Sequence, residues 1–289
     1  MKNIKNITVA TDFSATSRNA YRYSKLLARS LNATLTLVTA RESMMMASDV
    51  SLVPFPIIDD AEFITQLEEL IAEENDRLNL STIPNEVKTK ILRGDAVEAL
   101  VELSKNDSTD LIVIGTTGLS DVLTKIFGST SVSVSNLAFC PVLLIPRDAH
   151  WQPIEQIMYA TNYDSLSPIM VQEISEFAIS TKADLHFVNV RDYDPMFTPK
   201  QKDFSWNELL VSKHPDFYYE KQTIYGDDTV QELINYSNAK SIDLMCFASN
   251  HRNFWQNLAH KSITENMAIA SIIPIMVIHL DDSEGIIKS

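Results

Sequence analysis

Apolar residues along this chain fall in short runs separated by longer amphipathic stretches. In the first half the runs are Ile4–Thr11, Thr34–Ala40, Val87–Leu92, Leu111–Gly115 and Val142–Pro146. Runs apolar on successive rather than alternate residues predict strands covered on both faces, as in parallel sheets. The gaps carry a helical period. Tyr21, Leu27, Ala28 and Leu31 fall on one face between Thr16 and Leu31. Phe63, Leu67, Leu70, Ile71, Asn75 and Leu78 do so in the next gap, with Glu68, Glu69, Glu73 and Glu74 on the outward side. Val97, Leu100, Val101 and Ser104 mark a third. Alternating strands and helices with right-handed crossovers predict an α/β fold with an open, doubly wound parallel sheet.

The same pattern is written twice. Ile4–Thr11 then Asp12 matches Ile154–Thr161 then Asn162, and Ala33–Ala40 matches Ala183–Val190. Gly94-Asp95 matches Gly226-Asp227, Asp110–Ile114 matches Asp243–Phe247, and Cys140–Ile145 matches Ile273–Ile278. Five blocks in one order indicate duplication with divergence. The expected organisation is two domains, residues 1–148 and 149–289, each a five-stranded sheet. The join is a polar stretch, Arg147–Gln152, closed by Pro153 and suited to a linker.

Composition narrows the function classes. The 289 residues include 38 Asp and Glu against 24 Lys and Arg, a net charge of −14. That balance argues against nucleic acid or an anionic membrane as partner, because both are gripped by clustered cations. Cys140 and Cys246 lie far apart in apolar runs and read as core thiols rather than a disulfide framework. The N-terminus enters a strand without the apolar stretch of a signal peptide, and no run approaches the roughly 18 apolar residues of a membrane span. A cytoplasmic location is expected.

Glycine marks the candidate chemistry. Of six Gly, three lie in one window, Gly115, Gly118 and Gly128, and the last is followed by Ser129, Thr130 and Ser131. Glycine serves where a backbone must approach something closely, and a strand emptying through such a loop into a helix offers N–H groups to phosphate. In a sheet ordered 3-2-1-4-5 the first and fourth strands are neighbours at the point where strand order reverses. Ligands bind there, beyond the carboxyl ends. Asp12 and Gly115 should therefore face one crevice.

These residues resemble the universal stress protein family: Asp12 in Val9-Ala-Thr-Asp-Phe-Ser14, the loop Gly115-x2-Gly118-x9-Gly128-Ser129, and the closing Pro141–Pro146. The resemblance covers both halves, as a tandem member. It implies a Rossmann-like pseudo-dimer within one chain, whose final strands, Val142–Ile145 and Ile275–Ile278, pair antiparallel; a further homodimer is open. It implies an adenine nucleotide as ligand, ATP with AMP or ADP as alternatives, and Mg²⁺ on the phosphates. Asp12 would contact the adenine. Thr39 takes a position usually held by Val, whose backbone meets the base. Gly115 and Gly118 would line the ribose and phosphates, and Gly128, Ser129, Thr130 and Ser131 would donate to the phosphates at a helix N-terminus. The second half departs: Gly115 becomes Ala248, Gly118 becomes His251, Gly128 becomes Lys261 and Asp12 becomes Asn162, with only Ser129 kept as Ser262. It is not expected to hold ATP as the first half does; the alternatives are a structural pseudo-domain and a site for another anion held by Arg252, His260 and Lys261.

Other features read structurally. The six His show no metal-ligand spacing. Gly94-Asp95 and Gly226-Asp227 read as turns starting helices. Met44–Met46 reads as an apolar flap, Lys125 as a surface residue, and Trp206, Phe217, Tyr218 and Tyr219 as packing. No Gly-x-Ser-x-Gly elbow, His-Glu-x-x-His pair or Walker Lys appears, so slow ATP hydrolysis is the most catalysis expected. The expected function is an ATP-binding stress-response protein whose nucleotide state regulates conformation or partner choice. The alternatives are a nucleotide-independent scaffold and a weak ATPase or phosphotransferase.

Overall fold

The computed structural model describes residues 4–41, 60–79, 86–106, 108–116, 129–161, 168–191, 217–249 and 272–279. In the first half these form β1 (Asn6–Ala10), α1 (Ala15–Leu31), β2 (Thr34–Arg41), α2 (Asp60–Arg77), β3 (Val87–Arg93), α3 (Ala96–Ser104), β4 (Leu111–Thr116), α4 (Ser129–Leu137) and β5 (Val142–Pro146). The second half adds β6 (Gln156–Ala160), α5 (Pro168–Thr181), β7 (Asp184–Arg191), β8 (Tyr219–Tyr225), α6 (Thr229–Ala239), β9 (Leu244–Ser249) and β10 (Ile275–His279).

The strands make one sheet in the order β3-β2-β1-β4-β5-β10-β9-β6-β7-β8. Each half contributes five strands in the predicted 3-2-1-4-5 order, all parallel. The halves join where β5 meets β10 antiparallel, Leu144 opposite Ile275, Leu143 opposite Met276 and Val142 opposite Val277. This pairing removes two apolar edges that would otherwise template association. Helices α1, α2 and α5 cover one face over a core including Val9, Leu37, Leu67 and Phe187; α3, α4 and α6 cover the other over Ile112, Val134, Val142 and Val277.

Parallel details anchor both halves. The Asp110 carboxylate accepts from the Lys5 and Asn6 amides at 2.9 and 2.8 Å, and Asp243 accepts from Glu155 and Gln156 at 2.8 and 2.9 Å. Each thereby fixes the entry of the central strand of its own half. Gly94 takes φ of +104°, open to glycine at no steric cost, and Asp95 beside it caps α3 by accepting from Val97 and Glu98 N–H. In the second half the capping residue is Asp228, one position later than the predicted turn at Gly226-Asp227.

Four expectations change. Val87–Leu92 is not covered on both faces: β3 lies at the sheet edge and exposes alternate residues, Lys88 and Lys90 among them, which discourages pairing with another chain. Glu74 does not face outward. It is fully buried, because Arg18 and Arg22 of α1 reach its two oxygens at 3.1 and 2.6 Å. The 147–153 join is stitched down rather than free: Asn19 Nδ2 donates to Pro146 O and Ala149 O at 3.1 and 2.9 Å, and Trp151 meets Tyr23 edge-on with ring centres 4.9 Å apart. Of the aromatic cluster, Phe217 and Tyr219 stack and pack on the core, but Tyr218 is 54% exposed; Trp206 lies outside the described residues.

Candidate functional site

The carboxyl ends of β1, β2 and β4 lie side by side. Ala10 sits opposite Val38, Val9 opposite Val113, and the Thr11 amide donates to Val38 O at 2.8 Å. Carried forward, this register brings Thr11 level with Gly115 on one side and Thr39 on the other. From this switch point the chain leaves β1 toward α1 on one face of the sheet. Helix α4, which follows β4, packs on the other face, and in folds of this kind ligands bind at such a switch point.

The turn carrying Asp12 is locked by hydroxyl groups. Thr11 Oγ1 accepts from the Phe13 amide at 2.9 Å and shares a 2.9 Å hydrogen bond with Ser17 Oγ; the Ser14 amide donates to Asp12 Oδ1 at 3.0 Å. Phe13 adopts φ of +65°, a left-handed conformation costly for an aromatic residue and held here by the hydrogen bonds on either side and by packing on the core. Ser14 caps α1 by accepting from Ser17 N–H. The Asp12 side chain is left exposed. Partial burial alone would raise its pKa, but hydrogen bonding from Ser14 and Ser17 outweighs this and holds the carboxyl below its ordinary value. It is therefore an ionised acceptor at the switch point. Nothing in the period of the sequence reveals this lock; the only trace is the density of hydroxyl residues around Asp12.

Thr39 is buried on β2, level with Ile91 of β3. Gly115 lies on β4 beside Ile145. A Cβ built there would stand 2.6 Å from Thr16 O and 2.9 Å from Thr16 C, both main chain in the first turn of α1. The missing side chain at 115 thus lets α1 approach the end of β4. Helix α4, a crossover between parallel β4 and β5, begins at the same end of the sheet. It opens Ser129-Thr130-Ser131 with no acidic residue in its first turn; Ser129 is exposed, Thr130 half-buried and Ser131 buried. The partial positive charge of its N-terminus is not offset by a carboxylate of its own, which favours an anion there.

Gly118, Gly128 and Lys125 lie outside the described residues, as do Met44–Met46, Asn162, His251, Arg252, His260, Lys261 and Ser262. Ala248 lies at the end of β9, where Gly115 lies on β4. Both Cys are free and buried, and burial pushes the Cys140 thiol up to about 12. His186 is a core histidine, with Nδ1 at 2.8 Å from Glu220 Oε1 and Nε2 at 2.6 Å from Gln156 Oε1. Among the described residues, no group of three or more His, Cys, Asp or Glu could hold a metal ion. No helix among them is long and apolar enough to cross a membrane.

A doubly wound parallel sheet with an acidic turn and an anion-favouring helix start at its switch point defines a class of α/β proteins. Comparison with known proteins gives the family. Residues 3–146 match the Universal stress protein family model. A universal stress protein of Thermus aquaticus is 30% identical over 141 residues, covering 49% of this chain and 98% of that protein. The stress response protein NhaX of Bacillus subtilis is 29% identical over 161 residues, 48% of this chain and 96% of its own. The crystal structure of a universal stress protein from Archaeoglobus fulgidus superposes with a TM-score of 0.65 at 15% identity. It covers 96% of this chain and 99% of that one, so the shared fold extends through both halves. The chain belongs to the universal stress protein family.

Proposed function

We propose that the first half binds an adenine nucleotide, ATP foremost, and that nucleotide occupancy regulates the protein's conformation or its choice of partner. One juxtaposition carries this reading. An ionised, exposed Asp12 and the acid-free, hydroxyl-rich start of α4 flank the same switch point, a carboxylate for the base and donors for an anionic tail. The two ends suit a ligand neutral and hydrogen-bonding at one side and anionic at the other. Thr39 and Gly115 would floor the site, Gly118 and Gly128 would give the loop its close approach, and Ser129, Thr130 and Ser131 would donate to phosphate oxygens, with Mg²⁺ carried on the phosphates. We divide the chain into units 1–148 and 149–289, the second without the first's mode of ATP binding, since Ala248 replaces Gly115.

Isothermal titration of the full chain with ATP tests this. Micromolar binding by wild type, lost in Asp12→Ala and in Gly118→Val, is expected; no binding by wild type overturns it. A second reading, a nucleotide-independent scaffold, draws support from Gly115, whose bare Cα already has a use in seating Thr16. Silent titration together with an intact fold would favour it.

A further inference from the structure

The junction between the halves contains one polar contact that the pairing of β5 with β10 does not require. His279 ends β10, in line with Ser249 of β9 and one step beyond Ile278, and its ring lies on the face covered by α4. Its Nε2 is 2.7 Å from Ser135 O and its Nδ1 is 3.2 Å from Cys140 O. The Phe139 amide, four residues beyond the Ser135 carbonyl, donates to Ser104 Oγ at 2.9 Å. His279, from the second half, supplies a donor to that carbonyl near the C-terminus of α4.

Both partners are backbone carbonyls, which accept and never donate. A neutral imidazole carries one N–H and can serve only one of them; both bonds form together only on the imidazolium. The C-terminal end of a helix also favours a cation. Neither α4, β5 nor β9 carries a Lys, Arg, Asp or Glu, and β5 and β9 are flanked or filled by the thiols Cys140 and Cys246, which burial keeps protonated. Behind α4, Lys105 pairs with Glu102 at 2.7 Å, and Asp110 is engaged with the Lys5 and Asn6 amides. The contact runs one way. By the internal repeat the first-half counterpart of His279 is Pro146, whose side chain has nothing to donate.

We propose that His279 is a proton-operated clamp: when protonated, it lets the second half hold the C-terminal end of α4, and so positions the helix whose first turn carries Ser129, Thr130 and Ser131. The consequence for ligand rests on the nucleotide reading; the clamp does not. Its role is positioning, since His279 touches the far end of the helix from those three residues. A half that has lost the glycine motif thereby keeps a function, making the first half's anion-facing helix responsive to pH.

Two measurements on the full chain test it. In a ¹⁵N-histidine titration, with His279 assigned through its own Cβ, both ring nitrogens should carry protons at pH 7, with a midpoint above the ordinary imidazole value of about 6.5. A neutral ring at pH 7 overturns the clamp, and this arm needs no variant. In hydrogen exchange, the amides of α4, corrected for intrinsic rate, should exchange about tenfold faster at pH 8.5 than at pH 6, the equivalent of about one pH unit of differential protonation. His279→Gln, whose amide donates at every pH, should abolish that dependence. The same pH dependence in His279→Gln overturns the proposal. Because neither arm contains nucleotide, a wild type that fails to bind ATP would refute the proposed function and leave the clamp to its own result.

Discussion

Gly115→Ala puts the packing of the site to a quantitative test. The new methyl would lie 2.6 Å from Thr16 O, about 0.8 Å inside the 3.4 Å at which ordinary contact begins, with Thr16 C at 2.9 Å and Thr16 Cγ2 at 3.0 Å. The first of these is main chain in α1, so no rotamer change relieves it. Helix α1 must shift, and α1 is pinned by the bonds from Asn19 to Pro146 O and Ala149 O and by its fully buried Tyr21 and Leu27. Overpacking of this kind costs about 1–3 kcal/mol, and replacing Gly by Ala returns about 0.4–1 kcal/mol through the unfolded chain, leaving a net loss of about 1–2 kcal/mol. Urea denaturation followed by far-ultraviolet circular dichroism reads this as a lower midpoint at unchanged slope. Gly94→Ala is the control of opposite cause: nothing lies within 4 Å of its Cβ, but φ is +104°, so its cost of about 1–2 kcal/mol is backbone strain alone. Should Gly115→Ala unfold within about 0.5 kcal/mol of wild type while ATP affinity falls tenfold, the glycine serves the ligand and the packing reasoning is wrong.

Glu74→Ala removes the shared acceptor of Arg18 and Arg22 and should cost about 2 kcal/mol in the same denaturation assay. Burial would raise the Glu74 pKa, but bonding from Arg22 and Arg18 outweighs it and lowers it from 4.5. Its contribution should therefore be full above about pH 4.5 and vanish as pH falls through the lower folded value; acid denaturation of Glu74→Gln should lack that component. Glu220 behaves likewise. Burial opposes its charge, yet hydrogen bonds from Tyr236, Lys240 and His186 bring it to about 2, so Glu220→Gln should flatten the stability curve between about pH 4.5 and pH 2. Cys140 and Cys246 should resist Ellman's reagent at pH 8 in the folded protein and react fully in urea; rapid labelling of the native protein would refute their burial.

Much of the fold was legible because burial on both faces writes itself as consecutive apolar residues. Leu111–Ile114 and Val142–Ile145 occupy the middle of the sheet and read at once as strands. Val87–Leu92 read as the same kind of strand although its Lys88 and Lys90 alternate with apolar residues, as an edge requires. Glu74 reads as outward beside Glu68, Glu69 and Glu73 because helix glutamates ordinarily are solvated; two arginines from another helix, fifty-odd residues away in sequence, reverse that. At the site, Asp12 and Gly115 could be assigned to neighbouring strand ends from strand order alone. The hydroxyl lock of Thr11 and Ser17 could not, since it depends on a left-handed Phe13 that no pattern of polarity encodes.

The sequence alone determined the alternation of strands and helices, the duplication and the acidic and glycine positions, because each is written in local periodicity and spacing, where neighbours along the chain decide. Tertiary structure decided which helix claims the space beside Gly115, which carboxylate goes under, and that His279 of one half reaches the helix end of the other. Those outcomes turn on ångström-scale approach between segments far apart in the chain, and close packing, not pattern, selects them.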